Sequence, residues 1–126
     1  MKENTKFYAC PICGNVIGLI EGNAEHIMCC GKKVELLKEN VVDAAAEKHV
    51  PYIEKVEDEI YVKVGEVEHP MTKEHYISWI AQVSDNVTTR IRLFPEQAPE
   101  ARFKYIPGST IYAYCNKHGL WSKKID

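Results

Sequence analysis

No apolar run in the 126 residues approaches the roughly 18 that a membrane helix needs, so helical membrane spanning is excluded. Met1 to Cys10 lacks the apolar core of a signal peptide, and a cytoplasmic protein is therefore expected. Charge of one sign is also missing. The formal net charge is -2 and the sixteen Lys and Arg residues are scattered, which leaves no basic stripe for phosphates and no expectation of a nucleic-acid partner. No internal repeat and no low-complexity tract is present. Cysteines are few, five in all, and odd in number. A reducing compartment disfavours structural disulfides, so these thiols read better as metal ligands or reactive groups than as a covalent framework.

What is present suits a folded chain, with 45% hydrophobic and 27% charged residues. The length allows one domain with a small appendage that lacks apolar residues for a core of its own. Residues 1–37 are that appendage. Beyond Phe7, Tyr8, Val16, Ile17, Leu19 and Ile20 they carry little apolar bulk, and a metal is the available staple. Residues 38–48 read as a linker, with a short helical turn over Lys38 to Ala46 capped by Asp43. From His49 to the end, strand-like runs alternate with turn residues: Pro51 to Val56, Glu59 to Val64, His75 to Val83, Val87 to Phe94, Arg102 to Ile106 and Thr110 to Cys115. Period-two alternation places His75, Ile77, Trp79, Ala81 and Val83 on one face, and Ile111, Ala113 and Cys115 on another. About seven short strands at this spacing predict an all-β chain: a small metal domain, then an immunoglobulin-like antiparallel sandwich over 49–126.

Two constellations carry chemistry. Cys10-Pro11-Ile12-Cys13 sets two thiolates on one tight turn whose N–H groups can donate to sulfur, and Cys29-Cys30 would complete a four-sulfur site for iron or zinc. A thioredoxin-like redox pair would sit at the strand-to-helix junction of a βαβ unit, which this segment lacks. A zinc ribbon would repeat C-x-x-C in its second half, whereas adjacent cysteines force a distorted tetrahedron.

The second constellation is His49, His69, His75 and His118 with Cys115. A lone histidine is ordinarily a satisfied or exposed side chain. These five, however, fall at strand ends and loops that one pole of a sandwich can bring together, and Cys115-x-x-His118 is a metal-knuckle spacing. Lys48 stands beside His49, where its ammonium can steer an anion and hold a proton-donating water. His26 fits neither set and reads as an ordinary surface residue.

The C-x-x-C followed by C-C resembles the desulforedoxin-type iron centre. The segments Glu47-Lys48-His49-Val50-Pro51, His69-Pro70-Met71, His75-Tyr76-Ile77-x-Trp79 and Cys115-Asn116-x-His118-Gly119-x-Trp121 resemble the catalytic domain of superoxide reductases. Together they make the chain resemble the desulfoferrodoxins over nearly its whole length. The resemblance implies an FeCys4 centre and an Fe His4Cys centre, the latter ferrous when active, with four imidazoles in a plane, the thiolate axial and the sixth position open. It implies superoxide as substrate, hydrogen peroxide as product, a rubredoxin-like electron donor, a homodimer, and Glu47 as a ligand of the oxidised resting state only. The alternatives are a non-catalytic iron electron-transfer protein, a zinc-binding module, and a dismutase, which would also have to oxidise superoxide.

Overall fold

The structure, a computed structural model, describes residues 5–41 and 44–126 and divides into two compact units, Met1–Lys38 and Glu39–Asp126. In the first, β1 (Lys6–Ala9) lies between β2 (Val16–Leu19) and β5 (Glu35–Leu36), and β3 (Met28–Cys29) pairs with β4 (Lys32–Lys33). All pairings are antiparallel. Its buried apolar set among the described residues is Phe7, Cys10, Ala24 and Val34. One cross-strand pair sets Phe7 opposite Gly18, where a Cβ would lie 3.5 Å from the phenyl ring. Four buried side chains at a few kcal/mol each fall far short of the entropy of ordering some 35 residues, which agrees with the need for a staple.

The second unit is a sandwich of two antiparallel sheets. One has the order β10 (Glu100–Lys104), β7 (Glu59–Val64), β6 (Pro51–Val56); the other has β12 (Gly119–Lys124), β11 (Thr110–Cys115), β8 (Ile77–Val83), β9 (Thr88–Arg92). The core between them holds Ile60, Val62, Val64, Ile77, Ile80, Leu93, Phe103, Ile111, Ala113 and Cys115. A fully buried aliphatic side chain stabilises by about 1.5–3 kcal/mol, so this layer dominates the stability of the unit.

Several expectations are corrected. Ile77 does not share a face with Trp79, Ala81 and Val83. Register with β11 runs Ala113↔Ile80 and then Cys115↔Ile77, and the irregularity between Tyr114 and Cys115 gives Ser78 no opposite partner. An extra residue of this kind is a β-bulge, which reverses the alternation beyond it. Ile77 thus joins Ile80 in the core while Trp79 stacks on Tyr114, centroids 5.6 Å apart and planes 6° from parallel. The strand begins at Ile77 rather than His75, and Thr110–Cys115 is followed by a further strand, β12, whose Lys-rich end hid it. Ile111, Ala113 and Cys115 do share the core face. A helical turn exists, but as α1 over Ala46–His49, and its N-cap Ala45 makes no side-chain hydrogen bond. His49 therefore closes a helical turn rather than opening the sheet, and the expected cap Asp43 lies outside the described residues. Among the described residues no helix is long and apolar enough to cross a membrane.

Register fixes one pole. Pro51 pairs with Val64, and Cys115 pairs with both Ile77 and Gly119. The start of β6, the end of β7, the start of β8 and the β11–β12 turn therefore share one end, with α1 leading into it.

Candidate metal centres

The first centre is built on two turns. Cys10 N–H donates to Asn15 O at 2.8 Å and Gly14 N–H to Cys10 O at 3.0 Å, a closed knuckle that Gly14 completes with φ +77°. Inside it the N–H groups of Ile12 and Cys13 each donate to Cys10 Sγ at 3.4 Å. These donors, that of Cys13 foremost, lower the Cys10 thiol to about 6. In the second turn, Cys30 and Gly31 take φ of 53° and 74°, successive left-handed residues that bring adjacent sulfurs to the same side. Cys29 Sγ then lies 3.6 Å from Cys13 Sγ and 4.0 Å from Cys30 Sγ. A tetrahedron with metal–sulfur bonds of about 2.3 Å has sulfurs about 3.8 Å apart, so the four-cysteine cluster has the right size. The Cys10 and Cys13 sulfurs push the Cys29 thiol up to about 12. Four thiolates cannot share this volume without a cation.

At the second centre the tautomers follow from the partners. His49 Nδ1 lies 2.7 Å from Ala45 O, and His69 Nδ1 lies 2.7 Å from Pro70 O. A carbonyl only accepts, so each Nδ1 is the donor and each Nε2 of the neutral ring is a bare lone pair. Those two Nε2 atoms face each other at 3.1 Å, and His118 Nδ1 lies 3.1 Å from His49 Nε2. His75 Nε2 is buried with no hydrogen-bond partner. The rings close a circuit: centroids are 4.6 Å apart for His49–His69 and His69–His75, and 4.9 Å for His75–His118 and His49–His118, each neighbour nearly perpendicular to the next. Imidazole nitrogens at the corners of a square, each about 2.1 Å from a shared first-row cation, lie about 3.0 Å apart. Lone pairs converging at that spacing repel unless a cation sits among them, and proton sharing is disfavoured. Burial lowers His49, His75 and His69, the last to about 4.

Cys115, fully buried, completes the set, with Sγ 3.9 Å from His118 Nδ1 and accepting the His118 N–H at 3.4 Å. Burial pushes its thiol up, so it becomes a thiolate only against a compensating positive charge. His49, His69, His75 and Cys115 form one mutually close donor set, and His118 joins it through His49 and Cys115.

Both centres therefore gather the residues expected of them, while the exposed His26 lies in neither. Glu47 and Lys48 lie exposed on α1, in the turn that ends at His49. Lys48 lines an open depression of about 500 Å³ together with His69, Glu68 and Glu96. Two supporting residues carried no signal of this role. Trp121 stacks on His49 with centroids 4.8 Å apart and donates its indole N–H to His118 O at 3.1 Å, gripping two histidines at once. At Gly65 a Cβ would fall 2.7 Å from Glu47 O and 2.8 Å from the Lys48 carbonyl carbon, so only glycine lets α1 seat here. A glycine opening a loop after a strand was the sole trace of that contact.

Comparison with known proteins agrees. A model of the desulfoferrodoxin family matches residues 41–124. The chain is 48% identical over 125 residues to the desulfoferrodoxin of Syntrophotalea carbinolica, covering 98% of this chain and 99% of that one. It is 34% identical over 112 residues to the superoxide reductase of Pyrococcus horikoshii, covering 71% and 97%. The crystal structure of the superoxide reductase from Treponema pallidum matches with a TM-score of 0.74 at 33% identity, covering 95% of this chain and 98% of that one. The fold and the two donor sets define a β-sandwich metalloprotein with a small four-cysteine unit. The chain belongs to the desulfoferrodoxin family, and its clusters are consistent with the FeCys4 and Fe His4Cys centres of that family.

Proposed function

We propose that this chain is a superoxide reductase, joining one superoxide, one electron and two protons into one hydrogen peroxide. The observation that carries the reading is the closed circuit of four imidazoles, with the Nε2 lone pairs of His49 and His69 converging, beside a buried cysteine. His49, His69, His75, His118 and Cys115 would hold iron, which in its ferrous form supplies the electron. Four neutral imidazoles and one thiolate leave a ferrous ion with a formal charge of about +1, so the site draws in a small anion. The carbonyls of Ala45 and Pro70 keep two rings in the metal-binding tautomer.

Lys48, in the depression beside His69, attracts the anion and orders the water that gives up a proton. Glu47 serves as a ligand of the oxidised resting protein. Residues 1–37 form the four-cysteine iron domain, 38–48 a linker and 49–126 the reductase domain. A rubredoxin-like protein is the donor in the cytoplasm, and the protein works as a homodimer.

A visible spectrum tests this. Reduced iron-loaded protein given a pulse of superoxide should regain the ferric histidine–thiolate absorption at a rate proportional to superoxide, with the four-sulfur band unchanged. No reaction removes the proposal, and a change confined to the four-sulfur band favours a non-catalytic electron carrier.

A further inference from the structure

His75 differs from the other two Nε2 histidines. His49 and His69 are aimed by an Nδ1–H on a nearby carbonyl, whereas the hydrogen bonds that hold His75 are made to its backbone. That backbone lies in the loop just before β8. Two residues hold that backbone. Thr72 closes a local turn, its N–H donating to His75 O at 3.0 Å and its hydroxyl lying 3.2 Å from both His75 N and O. That turn is local to residues 72–75.

The anchor to the rest of the centre is Asn116. Its Oδ1 accepts the Tyr76 N–H at 2.9 Å, its Nδ2 donates to Glu74 O at 3.1 Å, and its own N–H donates to Tyr76 O at 3.2 Å. Three hydrogen bonds thus grip the residues on both sides of His75 from the residue directly after Cys115. The place matters because β11 and β8 lose their regular register at Tyr114/Cys115 and their ladder ends at Cys115↔Ile77, so residues 74–76 lie just beyond the strand pairing.

We propose that Asn116 is a positioning residue that sets His75 against Cys115, tying an imidazole ligand to the thiolate through a side-chain clamp across the bulge. This rests on His75 and Cys115 being ligands of one metal. Removing a residue that orients a ligand typically lowers metal affinity about 10- to 100-fold.

The test uses the full iron-loaded chain and follows loss of the ferric histidine–thiolate absorption under excess chelator, together with the cobalt(II) spectrum of the same site. Asn116→Ala should release metal from the histidine site at least about tenfold faster and alter the cobalt(II) ligand-field bands, with the four-sulfur site unaffected. Asn116→Asp keeps the acceptor for Tyr76 N–H but turns a carboxylate toward Glu74 O, and should fall between. It also provides the reading if the alanine variant does not fold. Gln82→Ala is the control, since Gln82 likewise makes two side-chain hydrogen bonds, to Lys104 O at 2.8 Å and Ser109 Oγ at 3.3 Å, toward the end of β8 away from His75. Wild-type release from Asn116→Ala, or equal acceleration by Gln82→Ala, overturns the clamp while leaving the ligand set standing. A wild-type chain that binds no metal through its histidines removes both.

Discussion

Replacing Gly65 by alanine should displace the helical turn that delivers Glu47, Lys48 and His49. The added Cβ would meet Glu47 O at 2.7 Å, the Lys48 carbonyl carbon at 2.8 Å and Val50 O at 3.0 Å. All three are backbone atoms, so no side chain can swing aside. Ordinary contact begins at 3.4 Å, which leaves the turn to move by roughly 0.7 Å. Overpacking of this kind costs about 1–3 kcal/mol. The movement also carries His49 away from its neighbours, and errors near 1 Å at a reacting centre reduce rates by about 100-fold. Thermal unfolding and the bimolecular rate with superoxide, measured on the same iron-loaded sample, check both parts. A variant with wild-type melting temperature, spectrum and rate would refute the claim that Gly65 seats α1.

Other consequences follow from the same contacts. Trp121→Phe keeps the stack on His49 but loses the donor to His118 O, and should shift the ferric spectrum while lowering stability by about 1 kcal/mol; an unchanged spectrum would make Trp121 mere packing. In metal-free protein His69 has a pKa lowered by burial from 6.5 to about 4. Its depressed folded value means that the unfolded chain takes up the proton first. Stability should therefore fall by up to about 3 kcal/mol on account of His69 as pH drops from 6.5 to about 4, as read by denaturant titration; His69→Gln should make that loss smaller, leaving the part due to His49 and His75. Lys48→Ala should slow the reaction with superoxide and weaken its dependence on ionic strength, whereas Glu47→Ala should change the resting ferric spectrum and leave fast reduction intact. Stopped-flow and absorption measurements separate the two.

That these side chains gather was legible in the sequence because cysteine and histidine are the residue types suited to such metals: Cys10, Cys13, Cys29 and Cys30 gather, as do four histidines with Cys115. Strands with a clean alternation, such as Glu59–Val64 and Thr110–Cys115, were also readable. What the sequence hid depends on contacts distant along the chain. The bulge that sends Trp79 away from Ile77 is a property of pairing with β11, not of β8 itself. Gly65 is special only because Glu47 and Lys48 lie against it, and Trp121 because β12, which the sequence reading passed over, brings it over His49. Helical character was expected before Ala46, yet it lies over Ala46–His49, where the chain must turn to aim His49 inward.

A centre that works as proposed reduces superoxide without oxidising it. Counting hydrogen peroxide and oxygen produced when the reduced, iron-loaded protein receives less than one equivalent of superoxide decides this. One hydrogen peroxide per superoxide and no oxygen is the expected result. Half an equivalent of each product would mean dismutation and would contradict the account.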